Sequence, residues 1–487
     1  MSDAETLPPE GPAPRTPTMR WALVPIGFLV VLLALAYGLY GDMAAKGANQ
    51  VALMLTTVVA VLVGLRFGHT IDSMRAAALE SVGVGLSAIF ILLAVGALIG
   101  TWAMSGTLVA MVYWGLQILS PNYFYVSVVA ICAAVSLSIG SSWTVVGTIG
   151  IGLMGVAAQM GLNPAITAGA VISGAYFGDK SSPLSDATNL AAAATGAKLY
   201  KHIVETLWTS VPTLAIALLG FFLLGSPGDF DAAGLTESLA YSFNIGFAAF
   251  LPLGLVLLLA VLKVPPFLTI FTGALAGAVV AVFLNPAIVI GAADAPHLPA
   301  ALALLKGSWT ALATGFVSTT GDAALDQLLS RGGMESMLVT IWLILAALAF
   351  GGVVDRIGVL DRILTPVLEA ANTTGRLILA LVGAVVGTNM LSGDQYIAIV
   401  LPGKMFQNAF RKMGLAPVVL SRAVGDSATV TSAIVPWNSC GAFMAATLGV
   451  ATIDYLPFAF FNIVNPLITI LFGFMGWRML KLDPAKA

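Results

Sequence analysis

Charge is what this sequence has least of. Of 487 residues, 21 are Lys or Arg and 23 are Asp or Glu, 9% in all, against 59% hydrophobic residues. A soluble domain of that length needs a charged surface, so a soluble fold is excluded. No polar stretch is long enough to form a separate soluble domain. Cys132 and Cys440 are the two cysteines, each isolated in apolar context, so neither a disulfide framework nor a cysteine metal cluster follows. The three histidines, His69, His202 and His297, lie far in sequence from the polar patches described below and read as loop or helix-end residues. No H-E-x-x-H, G-x-S-x-G or P-loop occurs, which leaves a membrane enzyme without its nucleophile or metal and a pump without its ATP site. A net charge of −2 gives no basis for binding nucleic acid.

What is present is a series of long apolar runs: 22–41 (ALVPIGFLVVLLALAYGLYG), 82–99, 122–137, 203–225, 240–262, 266–286, 337–354 and 456–477. Runs of this length with few charges read as transmembrane helices. The expected fold is an all-α polytopic membrane protein of about 12–14 passes, whose partners are membrane lipid and small solutes. Residues 1–20 are Pro-rich and polar, with acidic residues first, and read as a disordered cytoplasmic tail rather than a signal peptide.

Against this background two patches are polar. FGDKSSPLSDATNLA (177–191) crowds Asp179, Lys180, Ser182, Ser185, Asp186, Thr188 and Asn189 between apolar flanks. GDSATVTSAIVPWNSCG (425–441) carries Asp426, Thr429, Trp437 and Asn438. The two are related, because the chain aligns with itself at an offset of 253. Gly140 falls on Gly393, Met160-Gly161-Leu162 on Met413-Gly414-Leu415, Pro164 on Pro417, Pro183 on Pro436 and Gly196 on Gly449. Ser141 falls on Asp394 and Ser173 on Asp426. The ordered Gly-Leu-x-Pro and the matched prolines carry more weight than the identity count, which shared Gly and Ala inflate.

Equivalent loops carry opposite charge bias. Arg356, Arg362, Arg411 and Lys412 flank the second copy where the first has no charge, and Lys198 and Lys201 follow the first copy where the second has Asp454. The positive-inside rule then sets the copies in opposite orientations, with both termini cytoplasmic. The expected organisation is a tail (1–20), two N-terminal helices (21–80), repeat one (81–200), scaffold-like linking helices (201–334), repeat two (335–450), and a C-terminal helix with its tail (451–487). Inverted-topology repeats carry their sites near the midplane on broken or re-entrant helices. Gly178, Pro183, Gly425 and Pro436 are the expected breakers.

Freed carbonyls, Ser and Thr hydroxyls and Asp carboxylates are hard oxygen donors, suited to an alkali cation. Asp179, Asp394 and Asp426 are the candidate Na⁺ ligands. A carboxylate withdrawn from water holds a proton readily, and a bound cation displaces it, so one Asp can serve H⁺ and Na⁺ in turn. Structural readings stand beside these. Asp179 pairs with its neighbour Lys180, Asp426 pairs with Arg422 one helical turn before it, Asp186 caps the helix that follows, and Asp394 marks a helix break after Gly393.

The motifs resemble a family. AYFGDKSSPLSDATNLA is similar to the signature of the NhaC family of Na⁺/H⁺ antiporters, G-D-K-x-S-P-L-S-D-T-T-N-L-A, with Ala187 where the family has Thr. GALIGTWAMSG, GTNMLSGDQYIAIVLPGKMF and IVPWNSCGAF resemble its other motifs in the same order, over most of residues 80–450. The resemblance implies a bacterial inner-membrane Na⁺-linked exchanger that needs no cofactor beyond its transported ions. It implies that Asp179, Ser182, Ser185, Asp186, Thr188, Asn189, Asn389, Ser392, Asp394, Asp426, Trp437 and Asn438 belong to the site. Relatives of this family also move organic acids or amino acids, in which case Lys180 or Arg422 would hold a carboxylate. A homodimer is a further expectation by analogy with other exchangers. A channel would not need two asymmetric, acid-bearing copies.

Overall fold

The apolar runs fold as helices, and the glycines and prolines between them mark most of the ends. The structure, a computed structural model, describes residues 14–225, 239, 243, 245–319, 326, 329–369 and 371–482. Residues 1–13 of the expected tail and the start of the expected run 240–262 lie outside the described residues. The elements that position the site are α1 (Met19–Tyr40), α2 (Ala48–Arg66), α3 (Ile71–Ser105), α4 (Phe124–Ile139), α5 (Ser142–Gln159), α6 (Pro164–Ser181), α7 (Asp186–Thr195) and α8 (Leu199–Leu223). They continue with α9 (Pro266–Leu284), α10 (Leu338–Arg356), α11 (Thr374–Ser392), α12 (Gln395–Met405), α13 (Pro417–Ser432), α14 (Ser439–Leu448) and α15 (Phe460–Met475). Among the described residues there is no strand, only isolated bridges at Phe316–Arg331 and Leu415–Lys481.

Among the described residues nine helices are long and apolar enough to cross a membrane, or ten if Ser439–Leu448 and Thr452–Phe458, bent by 92°, count as one span. Four more apolar helices have 10–17 residues. The sequence expectation of 12–14 counted some of these short elements as full passes; α15, for example, falls in the run 456–477 but has only 16 residues. The burial pattern is that of a membrane protein. Leu39, Phe283 and Leu223 are exposed, whereas Lys180, Arg422 and Asp426 are buried. Apolar side chains can face lipid at no cost, while charges there are expensive. α3 has 35 residues and runs unbroken across residue 80, where the sequence divided the first two helices from the first repeat.

The stretches aligned at an offset of 253 share their element boundaries. α4 and α11 both end on a left-handed glycine, Gly140 (φ 77°) and Gly393 (φ 66°). Only a residue without a Cβ takes that conformation freely. The next residue is in each case an N-cap, Ser141 for α5 and Asp394 for α12. α6 and α13 start on Pro164 and Pro417, and α7 and α14 start on Asp186 and Ser439 and end on Thr195 and Leu448.

The helix breaks differ from expectation in one respect. α6 passes through Gly178 to Ser181, and the chain leaves helical geometry around Pro183; α13 passes through Gly425 to Ser432, and the break holds Pro436. The two glycines serve close packing instead. A Cβ at Gly178 would lie 2.5 Å from the Ser136 Cβ on α4, and one at Gly425 would lie 3.3 Å from the His202 ring on α8. Proline breaks because it lacks an N–H and crowds the preceding turn, whereas glycine inside a packed helix is held by its neighbours.

Candidate functional site

α6 stops at the break, and its freed carbonyls need donors. Thr188 supplies one: its hydroxyl lies 2.9 Å from the carbonyl oxygens of both Asp179 and Lys180. Ser185 caps α7, accepting from the Thr188 N–H at 3.3 Å. Asp186 is therefore the first helical residue rather than the cap, where its charge still suits the helix N-terminus. Asn189 donates to the carbonyls of Ser185 at 2.7 Å and Pro183 at 3.2 Å, and Ser182 accepts from the Leu184 N–H at 3.3 Å. Asn189 and Ser182 are thus occupied in shaping the break.

The Asp179 carboxylate sits at the end of this construction. Oδ1 accepts from Ser185 Oγ at 2.6 Å and Oδ2 from Ser142 Oγ at 2.5 Å. Ser142 reaches it because the Gly140 corner lies against the break; a Cβ at Gly140 would be 2.7 Å from Leu184. Sequence reasoning missed Ser142, although its partner at the 253 offset, Gln395, directly follows the singled-out Asp394.

Asp179, Asp186 and Asp394 share one cavity of about 440 Å³ with Ser141, Tyr396 and Cys440. Asp394 comes from the other half of the chain. Its Oδ1 caps α12 by accepting from the N–H groups of Tyr396 at 2.8 Å and Ile397 at 3.0 Å. Among the described residues no hydrogen bond reaches its Oδ2. The cavity thus gathers three carboxylates and one cation, Lys263, and its field favours a positive guest.

The remaining second-half residues mostly brace the scaffold. Asn389 donates to the Ala428 carbonyl at 2.8 Å and to Thr431 Oγ1 at 2.9 Å. Asn438 caps α14 and donates to Asn389 Oδ1 at 3.2 Å. Ser392 donates to the Thr388 carbonyl at 2.8 Å, and the Trp437 indole donates to the Met390 carbonyl at 2.6 Å. Thr429 is buried on α13.

Asp426 is elsewhere. It does not line the cavity; it forms an ion pair with Lys180, both buried, and accepts from Thr209 at 3.0 Å and from Thr469. Lys180 also donates to Ser210 at 2.8 Å. Both ion pairs read from neighbours in sequence are replaced by tertiary ones. Lys180 pairs with Asp426 instead of Asp179, and Arg422 lies 3.6 Å from Glu205 instead of pairing with Asp426. Glu205 also pairs with Arg478. His202, expected at a loop or helix end, lies in the first turn of α8 and is fully buried, with Nδ1 2.7 Å from Ser421 Oγ. Lys180 and Arg422 do not face the cavity in this conformation. The signal for this second cluster was weak, because Thr209, Thr469 and Glu205 lie on apolar helices with no motif around them.

Among the described residues no three His, Cys, Asp or Glu stand together as a metal group. What the cavity offers is carboxylates, hydroxyls and carbonyls, the donors that hard cations take. Cys132 and Cys440 are buried free thiols.

Residues 174–477 match the family model described as Na⁺/H⁺ antiporter family. The chain is 38% identical over 459 residues, 93% of its length and 96% of the relative's, to the Na⁺/H⁺ antiporter NhaC of Alkalihalophilus pseudofirmus. It is 33% identical to the Na⁺/H⁺ antiporter NhaC of Bacillus subtilis, covering 88% of this chain and 92% of that one. It is 32% identical to the malate-2H⁺/Na⁺-lactate antiporter of Bacillus subtilis, covering 95% and 96%.

Proposed function

This chain belongs to the Na⁺/H⁺ antiporter family, and on that premise we propose that it exchanges Na⁺ for H⁺ by competition of the two ions at Asp179 and Asp394. The observation that carries this reading is the Asp179 carboxylate, bonded by Ser142 and Ser185 at the lip of a cavity that collects two further carboxylates. Na⁺ takes the carboxylate oxygens together with the serine oxygens, whose lone pairs stay available while their hydrogens point to the acid. A proton arriving at the same carboxylate removes the charge that holds the cation. Asp426 has a different part in this proposal. It neutralises Lys180, so that the ammonium next in sequence to Asp179 does not compete with the cation.

We extend the proposal to orientation. The two aligned stretches run in opposite senses and present the site alternately to the two sides of a bacterial inner membrane, with both termini cytoplasmic. Two contacts support the placement of the termini. The Arg15 N–H donates to the Phe67 carbonyl at 2.9 Å, beside Arg66, and the Ala416 N–H donates to the Leu480 carbonyl at 2.8 Å, beside Arg411 and Lys412. Each terminal segment therefore lies with a cluster of cations.

The test is Na⁺-induced collapse of a preset ΔpH in proteoliposomes without any organic solute. Collapse that depends on the protein and is lost in Asp179→Asn supports exchange. No collapse until a carboxylate or amino acid is added would favour a coupled organic-solute antiporter, the reading that the malate-lactate relative keeps open.

A further inference from the structure

The wall of the carboxylate cavity repeats itself. Ser141 and Asp394, Trp143 and Tyr396, and Ala187 and Cys440 all line it, and the members of each pair stand 253 residues apart. Each half thus supplies one aromatic ring, placed two residues after its helix cap. Three residues beyond Cys440 on α14 is Phe443, and three beyond Ala187 on α7 is Leu190.

The two rings are held differently. Trp143 stacks flat on Phe443, with centroids 4.0 Å and planes 15° apart, and Phe443 is fully buried. The stack joins the halves, since one ring comes from α5 and the other from α14. α3 seals it from behind: a Cβ at Gly147 would lie 3.0 Å from Val95 Cγ2 and 3.9 Å from Phe443 Cζ. Leu92, Val95 and Leu98 of α3 are wholly buried. Tyr396, by contrast, is 43% exposed and stacks on no ring among the described residues. The residue at the Phe443 position of its half is the aliphatic Leu190. The helices differ as well. α5 winds as a π-helix over Val146–Gly150, soon after Trp143, whereas α12 is regular from Gln395 to Met405. Single π turns recur at functional places in helices.

The mouth of the cavity lies toward the start of α3. Val84, Ser87 and Ile91 line the cavity, and the sealed stretch begins at Leu92. Arg66, at the end of α2, and Arg75, near the start of α3, mark that end of the helix. In the orientation proposed above it is the cytoplasmic end.

We propose that Trp143 and Phe443 form the outer gate of the exchanger, closed in this conformation, and that Tyr396 with Leu190 is the inner gate, open in it. This rests on the exchange reading and its orientation. Alternating access in inverted repeats moves one repeat against the other around a fixed site. The opposite-facing state would then part Trp143 from Phe443 and bring Tyr396 onto Leu190. An apolar constriction stops a hydrated ion by excluding its water, and a ring pair leaves no buried charge unpaired when it parts.

The experiment uses Cys440 as its reporter, because it lines the cavity beside the stack. A membrane-impermeant cationic methanethiosulfonate is applied to right-side-out and inside-out vesicles in Na⁺-free buffer, and modification of Cys440 is followed by mass spectrometry. In wild type the cytoplasmic-face reaction should be the faster. Phe443→Leu and Trp143→Leu should each raise the outer-face rate about tenfold, and Phe443→Trp should keep it near wild type. Leu190→Phe gives Tyr396 a ring to stack on and should lower the cytoplasmic-face rate by a similar factor. The two stack variants lie on different helices, so one reports if the other fails to fold. An outer-face rate unchanged in both Leu variants, an equal rise at both faces, a faster wild-type reaction from the outer face, or a cytoplasmic-face rate unmoved by Leu190→Phe overturns the proposal. The labelling needs neither a Na⁺ nor a proton gradient, so this inference and Na⁺-driven ΔpH collapse fail separately.

Discussion

The ends of α6 and α13 are built alike and filled differently. In both, the first residue of the preceding helix after its cap bonds to the last turn of the broken one: Ser142 to Asp179, and Gln395 to Ser432 at 2.9 Å. In both, a polar side chain two helices back, on α4 or α11, donates to a carbonyl one turn earlier in the broken helix, Ser136 to Ala175 at 2.5 Å and Asn389 to Ala428 at 2.8 Å. At the 253 offset these are the same bonds. The first stretch places its carboxylate on the broken helix at Asp179, with a serine where the second has its cap acid, and the second places one at the cap, Asp394, with a serine where the first has Asp179. Each half therefore contributes an acid to the shared cavity from a different position of a common frame, and the first half adds Asp186 at the start of α7.

The sharpest way to break this comparison is to remove each acid and its counterpart. Asp179→Asn should reduce Na⁺-driven ΔpH collapse to the rate of protein-free vesicles, while Ser432→Ala should leave it near wild type; equal losses in the two would show that the position, not the carboxylate, matters. Next in size is the buried pair outside the cavity. Asp426→Asn leaves Lys180 as an unpaired buried charge and should cost roughly 3–5 kcal/mol of stability, much of it recovered in Lys180→Met/Asp426→Leu. Thermal unfolding of the single and double variants checks this, and a double variant no better than the singles would end the account of Asp426 as the partner of Lys180.

Two smaller effects sharpen the picture. Asp394→Asn keeps the cap of α12 and loses only the charge, whereas Asp394→Ala loses both and should cost a further 0.5–2 kcal/mol or so. Exchange should fall in both variants, and the midpoint of unfolding should fall mainly in the second. Ser142→Ala and Ser185→Ala each remove one bond to a carboxylate, about 1.5 kcal/mol, so each should raise half-saturating Na⁺ roughly tenfold without abolishing exchange. Unchanged Na⁺ dependence in both would remove the serines from the ion site.

Much of this frame was legible in the chain. The αL glycines, the prolines at helix starts and breaks, and the polar patches each carry a local physical rule, and the 253 offset tied them together. Gly178 and Gly425 misled because a glycine in a helix reads as a breaker until its neighbour is known; the α4 backbone and the His202 ring explain them. Ser142 and Gln395 were overlooked because a lone polar residue after a cap has no motif around it.

The sequence by itself determined that this is a membrane protein, where left-handed glycines and prolines end several of its helices, and which carboxylates lie among apolar residues, because hydropathy, capping and backbone sterics act within a few residues. Only the tertiary structure decided which charge neutralises which. Lys180 lies beside Asp179 in the chain yet pairs with Asp426, and Arg422 turns to Glu205 rather than to the acid one turn away. In a medium without water a buried charge must be met by an opposite one. The partner is whichever group packing brings within reach, and here that contact spans more than two hundred residues.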